Sequence, residues 1–184
     1  MSTVRKLNES ALRGIYDAYM HEAFPPAELK PLAVMLRLME RGRYLCYGYY
    51  RNGRLAAYAF FYRHRVLLLD YFAVTPELRG RGVGSAFLAA LDAVLGGVCI
   101  LGEVEMPDSH DAGLNAMRLR RIAFYERAGF SLTGAACRLY GVRYAIIARR
   151  LPAGLTAAGL RGLLREVYRG LVPAPLRPFV LHLE

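Results

Sequence analysis

The stretch of residues 67–95 restricts the fold more than any other part of the chain. Its first part, residues 67–74, is apolar and β-prone, which is typical of a strand buried on both faces. Pro76 ends that strand, because proline cannot donate a hydrogen bond to a β-ladder. A glycine-rich turn follows, and apolar residues then recur at helical spacing as far as Gly96 and Gly97. The stretch therefore predicts a strand, a turn and a helix in direct succession.

The turn carries glycines at three alternate positions, Gly80, Gly82 and Gly84. Glycine lets the backbone approach a ligand closely, and the first N–H groups of a helix attract an anion together with the helix dipole. The pattern is not a P-loop, because no lysine precedes Ser85. It is not the dinucleotide fingerprint either, since the glycine spacing differs and no acidic residue ends a strand about 20 residues further on. The turn therefore predicts an anion site of another kind.

The stretch resembles the acetyl-CoA-binding motif of the GNAT superfamily of N-acetyltransferases, Arg/Gln-x-x-Gly-x-Gly/Ala. Arg79, Gly82 and Gly84 match this motif. The resemblance implies that backbone amides of the loop hold the CoA pyrophosphate and that the preceding strand pairs with the pantetheine arm. The residues that it implies as CoA contacts are Phe72, Val74, Arg79, Arg81, Gly82, Val83, Gly84 and Ser85.

The rest of the chain indicates an α/β protein. Asn52 and Gly53 between two β-rich runs are a strong hairpin signal, since both accept positive φ. Strands are predicted at residues 4–7, 43–50, 55–62, 66–74 and 98–105, with two more in 131–151. Besides the helix after the turn, helices are predicted from residue 9, from 27 to 40, from 115 to 128, and after Thr156 as a cap.

The resemblance implies the GNAT fold over residues 1–151, with a mixed central sheet of about seven strands flanked by helices. The segment between the first two strands occupies the place where GNAT proteins build part of the acceptor site. Residues 152–184 lie beyond the usual GNAT core and contain apolar residues at i, i+3, i+4 and i+7, which predict an amphipathic helix before a proline-containing tail. We expect this helix and tail to pack on the same domain, with a dimer contact as the alternative.

Composition and charge narrow the class of protein. Lys and Arg outnumber Asp and Glu by 25 to 15, which gives a net charge of +10. A basic surface attracts polyanions, and this suits CoA as well as nucleic acid. The arginines are scattered, however, and no nucleic-acid-binding motif is present. We therefore expect no nucleic-acid partner.

Neither a membrane protein nor a disulfide framework is indicated. No run approaches roughly 18 apolar residues, and residues 1–10 lack the apolar core of a signal peptide, so we expect a cytoplasmic protein without a membrane partner. Cys46, Cys99 and Cys137 are widely spaced in apolar runs. They predict buried free thiols rather than disulfides or a metal site.

The proposed chemistry needs a base for the amine proton, donors for an oxyanion and a proton for the departing thiolate. Tyr125, followed by Gly129 and Phe130, is similar to the GNAT segment that carries the general acid. The resemblance therefore implies that Tyr125 is the proton donor. A phenol with a pKa of about 10 can protonate a thiolate with a pKa of about 8.5 and recover its proton from solvent.

Two carboxylates are candidates for the general base. Glu103 and Glu105 lie two residues apart on a predicted strand, so their side chains share one face. Some GNAT members use a glutamate on this strand, acting through water, which makes Glu103 the first candidate. Asp70, on the neighbouring strand, is the second.

One position departs from the family pattern. Many GNAT proteins carry asparagine seven residues before the general acid, where this chain has Arg118. Arg121 lies four residues before Tyr125, on the same helix face. Either arginine could reach CoA phosphates, and Arg121 is the predicted contact. Solvated helix charges are the alternative.

The sequence thus favours a metal-independent N-acetyltransferase that moves an acetyl group from acetyl-CoA to a primary amine in a ternary complex. The acceptor could be a small molecule or a peptide, and the protein a monomer or a homodimer. Because Arg118 replaces asparagine and the base is unsettled, an acyl-CoA-binding sensor or interaction module without turnover is the alternative. A nucleic-acid-binding protein with salt-sensitive affinity is the third hypothesis.

Overall fold

The computed structural model describes residues 1–184 as an α/β chain with eight strands and flanking helices. Contacts group the chain into two compact units, Met1–Gly97 and Val98–Glu184. Each unit contains four strands joined by antiparallel pairs. The predicted α/β class is confirmed.

The strands of the first unit pair in chain order. They are β1 (Ser2–Lys6), β2 (Tyr44–Arg51), β3 (Arg54–Arg63) and β4 (Leu67–Val74). Asn52 and Gly53 join β2 to β3 with φ of 50° and 80°, the left-handed conformation that a two-residue hairpin loop needs. The predicted hairpin is confirmed.

The first helix begins where the sequence predicts it. Asn8 caps α1 (Glu9–Ile15), because its Oδ1 accepts a hydrogen bond from Ala11 N at 2.9 Å. The helical path then continues through a π-helical turn, Tyr16–Met20, into the short α2, His21–Ala23.

The second predicted helix begins later than expected. α3 spans Leu32–Glu40, so the predicted start at residue 27 is wrong. Pro31 directly precedes α3 with a ψ of 137°. Because a residue before proline is disfavoured in the helical conformation, the helix does not extend back through Lys30.

The glycine-rich turn leads into the longest helix of the first unit. After a 3-10 turn at Pro76–Leu78, α4 spans Val83–Leu95 and ends at Gly96, whose φ is 65°. Its buried side includes Phe87 and Leu91, and it packs against β1, β3 and β4. The predicted succession of strand, turn and helix is confirmed.

The second unit contains one strand that the sequence does not predict. Its strands are β5 (Ile100–Glu105), β6 (Ser131–Leu139), β7 (Val142–Arg149) and β8 (Leu181–Leu183), in the spatial order β5-β7-β6-β8. β8 pairs with residues 137–139 of β6. A three-residue strand in a proline-containing tail has no pattern of its own, because only its long-range partner defines it.

The two long helices of the second unit begin at side-chain caps. Asp111 caps α5 (Ala112–Arg127), which therefore starts three residues before the predicted position at 115. Thr156 caps α6 (Ala157–Leu171) as predicted, because its Oγ1 accepts from Gly159 N at 3.1 Å. A short α7, Arg177–Val180, precedes β8.

None of these helices combines the length and the apolarity needed to span a bilayer. No group of three His, Cys, Asp or Glu side chains is placed to hold a metal ion. The prediction of free thiols is confirmed for all three cysteines. Cys46 and Cys137 are buried as predicted, whereas Cys99, just before β5, is half-buried.

Candidate active site

The backbone of the glycine-rich turn has the conformation that glycine permits best. Gly80 and Gly82 have φ of 74° and 72°, a region in which an L side chain is strained. A Cβ at either position would meet no other atom within 4 Å. The backbone is therefore open to a ligand at both glycines.

The N-terminus of α4 differs from those of α1, α5 and α6. Asn8, Asp111 and Thr156 cap those three helices with side-chain oxygens. No side chain caps α4, and its first turn contains no acidic residue. The carbonyl O of Gly82 accepts a hydrogen bond from Ala86 N at 3.1 Å, so the amides before Ala86 have no partner within the helix. This end of α4 suits an anion.

Arg79 fastens the turn to the end of β4. Its Nε donates to the carbonyl O of Val74 at 3.3 Å, and its Nη1 lies 3.7 Å from Glu22 Oε1. About half of the Arg79 side chain, 51 %, remains exposed. Arg81 is exposed as well. The two guanidinium groups give the turn a positive charge.

Aromatic packing fixes α4 against the strand that precedes the turn. The ring of Phe72 stacks on that of Phe87, with centroids 5.7 Å apart and planes 22° apart. Tyr49 stacks on Phe87 at 5.3 Å. Val74 pairs with Ala57 of β3. The predicted pantetheine contacts Phe72 and Val74 thus lie on a rigidly supported strand end.

Asp70, the second candidate for the base, belongs to a buried network. Its side chain is 5 % exposed, and its Oδ1 accepts from Lys30 Nζ at 2.7 Å. Its Oδ2 accepts from Tyr44 Oη at 2.5 Å. Burial and the Asp70 charge raise the pKa of Tyr44 well above its usual value, so Tyr44 remains a donor. Both carboxylate oxygens therefore accept hydrogen bonds.

Tyr71 holds residues 24–31, the segment between α2 and α3. Its hydroxyl donates to the carbonyl O of Glu28 at 2.7 Å and accepts from Lys30 N at 2.8 Å. Its ring meets that of Phe24 edge to face, with centroids 4.8 Å apart. Main-chain and ring contacts together fasten this irregular segment.

Tyr168 of α6 is a candidate that the sequence analysis missed. Its hydroxyl donates to Oε1 of Glu103, the first candidate for the base, and lies 3.4 Å from Cys137 Sγ. Burial and the Glu103 charge raise the pKa of Tyr168 well above its usual value. In the sequence, Tyr168 belongs to the apolar stripe of α6. The only available signal was that a buried phenol needs a hydrogen-bond partner.

Glu105 accepts hydrogen bonds from Arg118, which replaces the family's asparagine, and from Arg121, the predicted CoA contact. Its Oε1 accepts from Arg118 Nη2 at 3.1 Å and its Oε2 from Arg121 Nη1 at 2.5 Å. Arg118 also donates to the carbonyl O of Met106 at 2.9 Å. The Arg118 side chain is 13 % exposed and that of Arg121 45 %, so Arg118 is the more firmly held of the two.

Tyr125 lies in the last turn of α5 among aromatic rings. Its ring meets Phe124 and Phe130 edge to face, with centroids 5.1 Å and 5.4 Å apart. Burial raises the pKa of Tyr125 to about 12, and the charge of Arg121 offsets part of that rise. Gly129, with a φ of 83°, turns the chain after α5 so that Phe130 can fold back on Tyr125.

The predicted site residues thus form distinct local groups. In the first unit the turn, Arg79 and the end of β4 are joined, whereas Asp70 is bound to Lys30 and Tyr44. In the second unit Glu103 is joined to α6, while Arg121 is joined to Glu105.

Solved structures of similar fold are GNAT acetyltransferases. One from Bacteroides thetaiotaomicron aligns with a TM-score of 0.74 at 23% identity, over 91% of this chain and 98% of its own. The ribosomal-protein-S18-alanine N-acetyltransferase from Escherichia coli aligns with a TM-score of 0.56 at 24% identity, over 85% of this chain and 99% of its own. A chimeric spermidine N-acetyltransferase from Vibrio cholerae aligns with a TM-score of 0.57 at 17% identity, over 80% of this chain and 94% of its own. The fold is that of the GNAT class.

A family comparison extends this likeness from fold to sequence. Residues 42–132 match the family model of the acetyltransferase (GNAT) domain. The matched segment contains the glycine-rich turn, Glu103 and Tyr125. This chain therefore belongs to the GNAT acetyltransferase family. A search of the curated proteins found no match.

Proposed function

We propose that this protein is an N-acetyltransferase that transfers an acetyl group from acetyl-CoA to a primary amine by direct attack in a ternary complex. One observation carries the proposal: the N-terminus of α4 has no side-chain cap and follows glycines at positive φ, within the segment that matches the GNAT domain. Amides and a helix dipole at such an end suit a pyrophosphate.

We propose that the turn and the end of β4 hold CoA. The amides of residues 81–85 would hold the pyrophosphate, since the backbone is open at the turn glycines. Phe72 and Val74 would bind the pantetheine arm along the end of β4. Arg79 keeps the turn closed on Val74, and Arg81 adds positive charge. Arg121 is the proposed additional contact, because it is more exposed than Arg118.

Acetyl-CoA, when bound, supplies an acetyl group activated as a thioester. Glu103 is the proposed base and accepts a proton from the attacking amine. Asp70 ranks below Glu103, because its two oxygens already accept hydrogen bonds from Lys30 and Tyr44 and are less available to an amine proton.

Tyr125 is the proposed acid and donates a proton to the departing sulfur. An acid is lost only as the pH rises through its pKa, and burial raises the pKa of Tyr125 to about 12. We therefore expect no alkaline fall in kcat from this group between about pH 7 and pH 10. Tyr125→Phe should lower kcat about 100-fold while acetyl-CoA still binds. Steady-state kinetics test both expectations. A fall in kcat at about pH 9 in the wild type that disappears in Tyr125→Phe contradicts them.

The proposed acceptor is a small-molecule or peptide amine. Two similar structures are named as N-acetyltransferases of a ribosomal-protein alanine and of spermidine, which are amines of both kinds. Residues 24–31, fastened by Tyr71, are the proposed acceptor side. A cytoplasmic location, a monomeric or homodimeric state, and the absence of membrane and nucleic-acid partners remain predictions from the sequence.

An acyl-CoA-binding protein without turnover is the second candidate function. It is favoured by the hydrogen bonds that both base candidates already accept, Glu103 from Tyr168 and Asp70 from Lys30 and Tyr44. Acetyl-CoA binding measured by calorimetry, together with thiol release in the presence of a panel of amines, distinguishes the two. Binding without faster release by any amine would support this second candidate.

A pair of glycine substitutions tests the phosphate site itself. Gly82→Ala should weaken acetyl-CoA binding about tenfold or more, because it adds a Cβ and strain where the ligand is proposed to lie. Gly96→Ala is the matched control at the other end of α4, with a φ of 65° and likewise no atom within 4 Å of an added Cβ. Similar losses in both variants would contradict the proposed site.

A further inference from the structure

One tyrosine connects the C-terminal helix to the proposed base. Tyr168 Oη donates to Glu103 Oε1 and lies 3.4 Å from Cys137 Sγ, so α6, β5 and β6 meet at this phenol. The Tyr168 side chain is 1% exposed. It lies outside residues 42–132, the segment that matches the family model.

The direction of the two hydrogen bonds follows from the chemistry of the groups. A phenol has one hydrogen, and Tyr168 gives it to Glu103. The thiol of Cys137 is therefore the donor to Tyr168 Oη. Burial raises the pKa of Cys137 to about 12, and the charge of Glu103 contributes, which agrees with a protonated thiol. The donors thus run from Cys137 through Tyr168 to the carboxylate.

Packing alone does not require the hydroxyl group. Leu160, Leu164 and Val167 bury the apolar face of α6, at 3%, 0% and 0% exposure. Phenylalanine at position 168 would complete this face without burying a polar atom, which costs free energy unless the atom is hydrogen-bonded. The hydroxyl is therefore best explained by its partner, Glu103.

We propose that Tyr168 is a positioning residue that keeps the Glu103 carboxylate ionised and in one orientation to accept the amine proton. This inference rests on the proposed function and extends the catalytic apparatus into the C-terminal helix. A hydrogen bond from a neutral donor favours the charged form of a carboxylate. It also restricts rotation of the carboxylate without neutralising its charge.

Other titratable groups lie around this pair. Cys137 faces the phenol from β6, and Glu184 acts on Cys137 electrostatically. On β5 itself, Glu105 is paired with Arg118 and Arg121. Tyr168→Phe leaves Glu105, Glu184 and the two arginines as they are, but it removes the acceptor of the Cys137 thiol. Because burial raises the pKa of that thiol to about 12, it stays protonated over the pH range of the test, and a change in the titration of Glu103 reports the lost hydroxyl.

The first test compares the wild type and Tyr168→Phe by amine-dependent thiol release between about pH 5 and pH 10. We expect kcat to fall about tenfold at neutral pH and the acid limb of kcat/KM to move about one pH unit upwards, with the KM for acetyl-CoA unchanged. Tyr58→Phe is the matched control, because it removes a buried hydroxyl that has no hydrogen-bond partner. A Tyr168→Phe profile that superimposes on that of the wild type overturns the proposal.

A double-mutant cycle tests whether Tyr168 acts through Glu103. Glu103→Gln should lower kcat about 100-fold. Tyr168→Phe should then have no further effect, because two residues that act as a unit are not additive. A loss of the same size with and without Glu103 overturns the positioning role and indicates a general effect on the fold, which thermal unfolding of the four proteins reports independently.

A measurement without turnover separates this inference from the proposed function. The 13C-labelled carboxyl group of Glu103, assigned by its absence in Glu103→Gln, is titrated by NMR in the wild type and in Tyr168→Phe. A midpoint about one pH unit higher in the variant supports control of the Glu103 charge by Tyr168. Equal midpoints overturn it, even in an active enzyme. If the Glu103 midpoint rises as expected in Tyr168→Phe but no amine accelerates thiol release by the wild type, only the transferase function is contradicted.

Discussion

Asp70 and Glu103 are both strand carboxylates, but they are held by different kinds of partner. Asp70 of β4 accepts from the Lys30 ammonium group at 2.7 Å and from Tyr44 at 2.5 Å. Glu103 of β5 accepts from the neutral phenol of Tyr168. The first arrangement neutralises a charge and ties residue 30 to β4. The second is a hydrogen bond from a neutral group, which orients the carboxylate.

This difference indicates which carboxylate stabilises the fold and which is suited to proton transfer. Removing one member of a partly buried ion pair is costly, because it leaves the other charge without its partner. A carboxylate held by a phenol can be replaced by an amide, whose oxygen still accepts the same hydrogen bond. Asp70 therefore suits a stabilising role, and Glu103 suits proton transfer.

The largest expected effect comes from exchanging each carboxylate for its amide. Asp70→Asn should lower the free energy of unfolding by about 3 kcal/mol, because it removes the charge that faces the Lys30 ammonium group. Glu103→Gln should cost about 1 kcal/mol or less, since the amide oxygen still accepts from Tyr168. Denaturant unfolding of the two variants measures both values. Equal losses would remove the distinction between the two carboxylates.

A smaller effect is expected from removing the Tyr44 hydroxyl group, which donates to Asp70. Tyr44→Phe should lower the free energy of unfolding by about 1.5 kcal/mol, because it removes a hydrogen bond to a charged group. It should leave the acid limb of kcat/KM in place, unlike Tyr168→Phe. Denaturant unfolding and a pH–rate profile of the same preparation test both points. A shifted acid limb in Tyr44→Phe would favour Asp70 as the base.

The smallest effect is expected at the start of α6. Thr156→Ala removes the cap on Gly159 N and should cost about 1 kcal/mol, since the amide loses its acceptor. The pH–rate profile should not change, because Tyr168 is three turns further along the helix. Calorimetric unfolding and kinetics measure the two quantities. A changed profile in Thr156→Ala would mean that the whole helix, rather than the Tyr168 hydroxyl, governs Glu103.

Local signals in the sequence predicted part of this molecule well. The hairpin at Asn52 and Gly53, the Thr156 cap and the turn between β4 and α4 all depend on residues close in sequence, so their chemistry is readable directly. The predicted start of α3 was wrong because Pro31 disfavours the helical conformation at Lys30. The predicted start of α5 was wrong as well, because Asp111 caps the helix and α5 begins three residues earlier than predicted.

The sequence also identified candidate site residues, but not their partners. Tyr125, Glu103 and Asp70 were chosen by resemblance to a family motif or by strand position. Their roles remain proposals. The ammonium partner of Asp70 lies 40 residues away in the chain, and the phenol partner of Glu103 lies 65 residues away. No periodicity connects residues so far apart.

The amino-acid sequence by itself determined the order of most strands and helices, the positive-φ glycine turn and the family of the chain, because each depends on short-range backbone preferences or on a contiguous motif. Only the tertiary structure decided that β8 pairs with β6, that Lys30 neutralises Asp70, and that a tyrosine of the C-terminal helix holds Glu103. These contacts depend on which side chains the fold brings within hydrogen-bond distance, and a buried polar group accepts whichever partner the packing supplies.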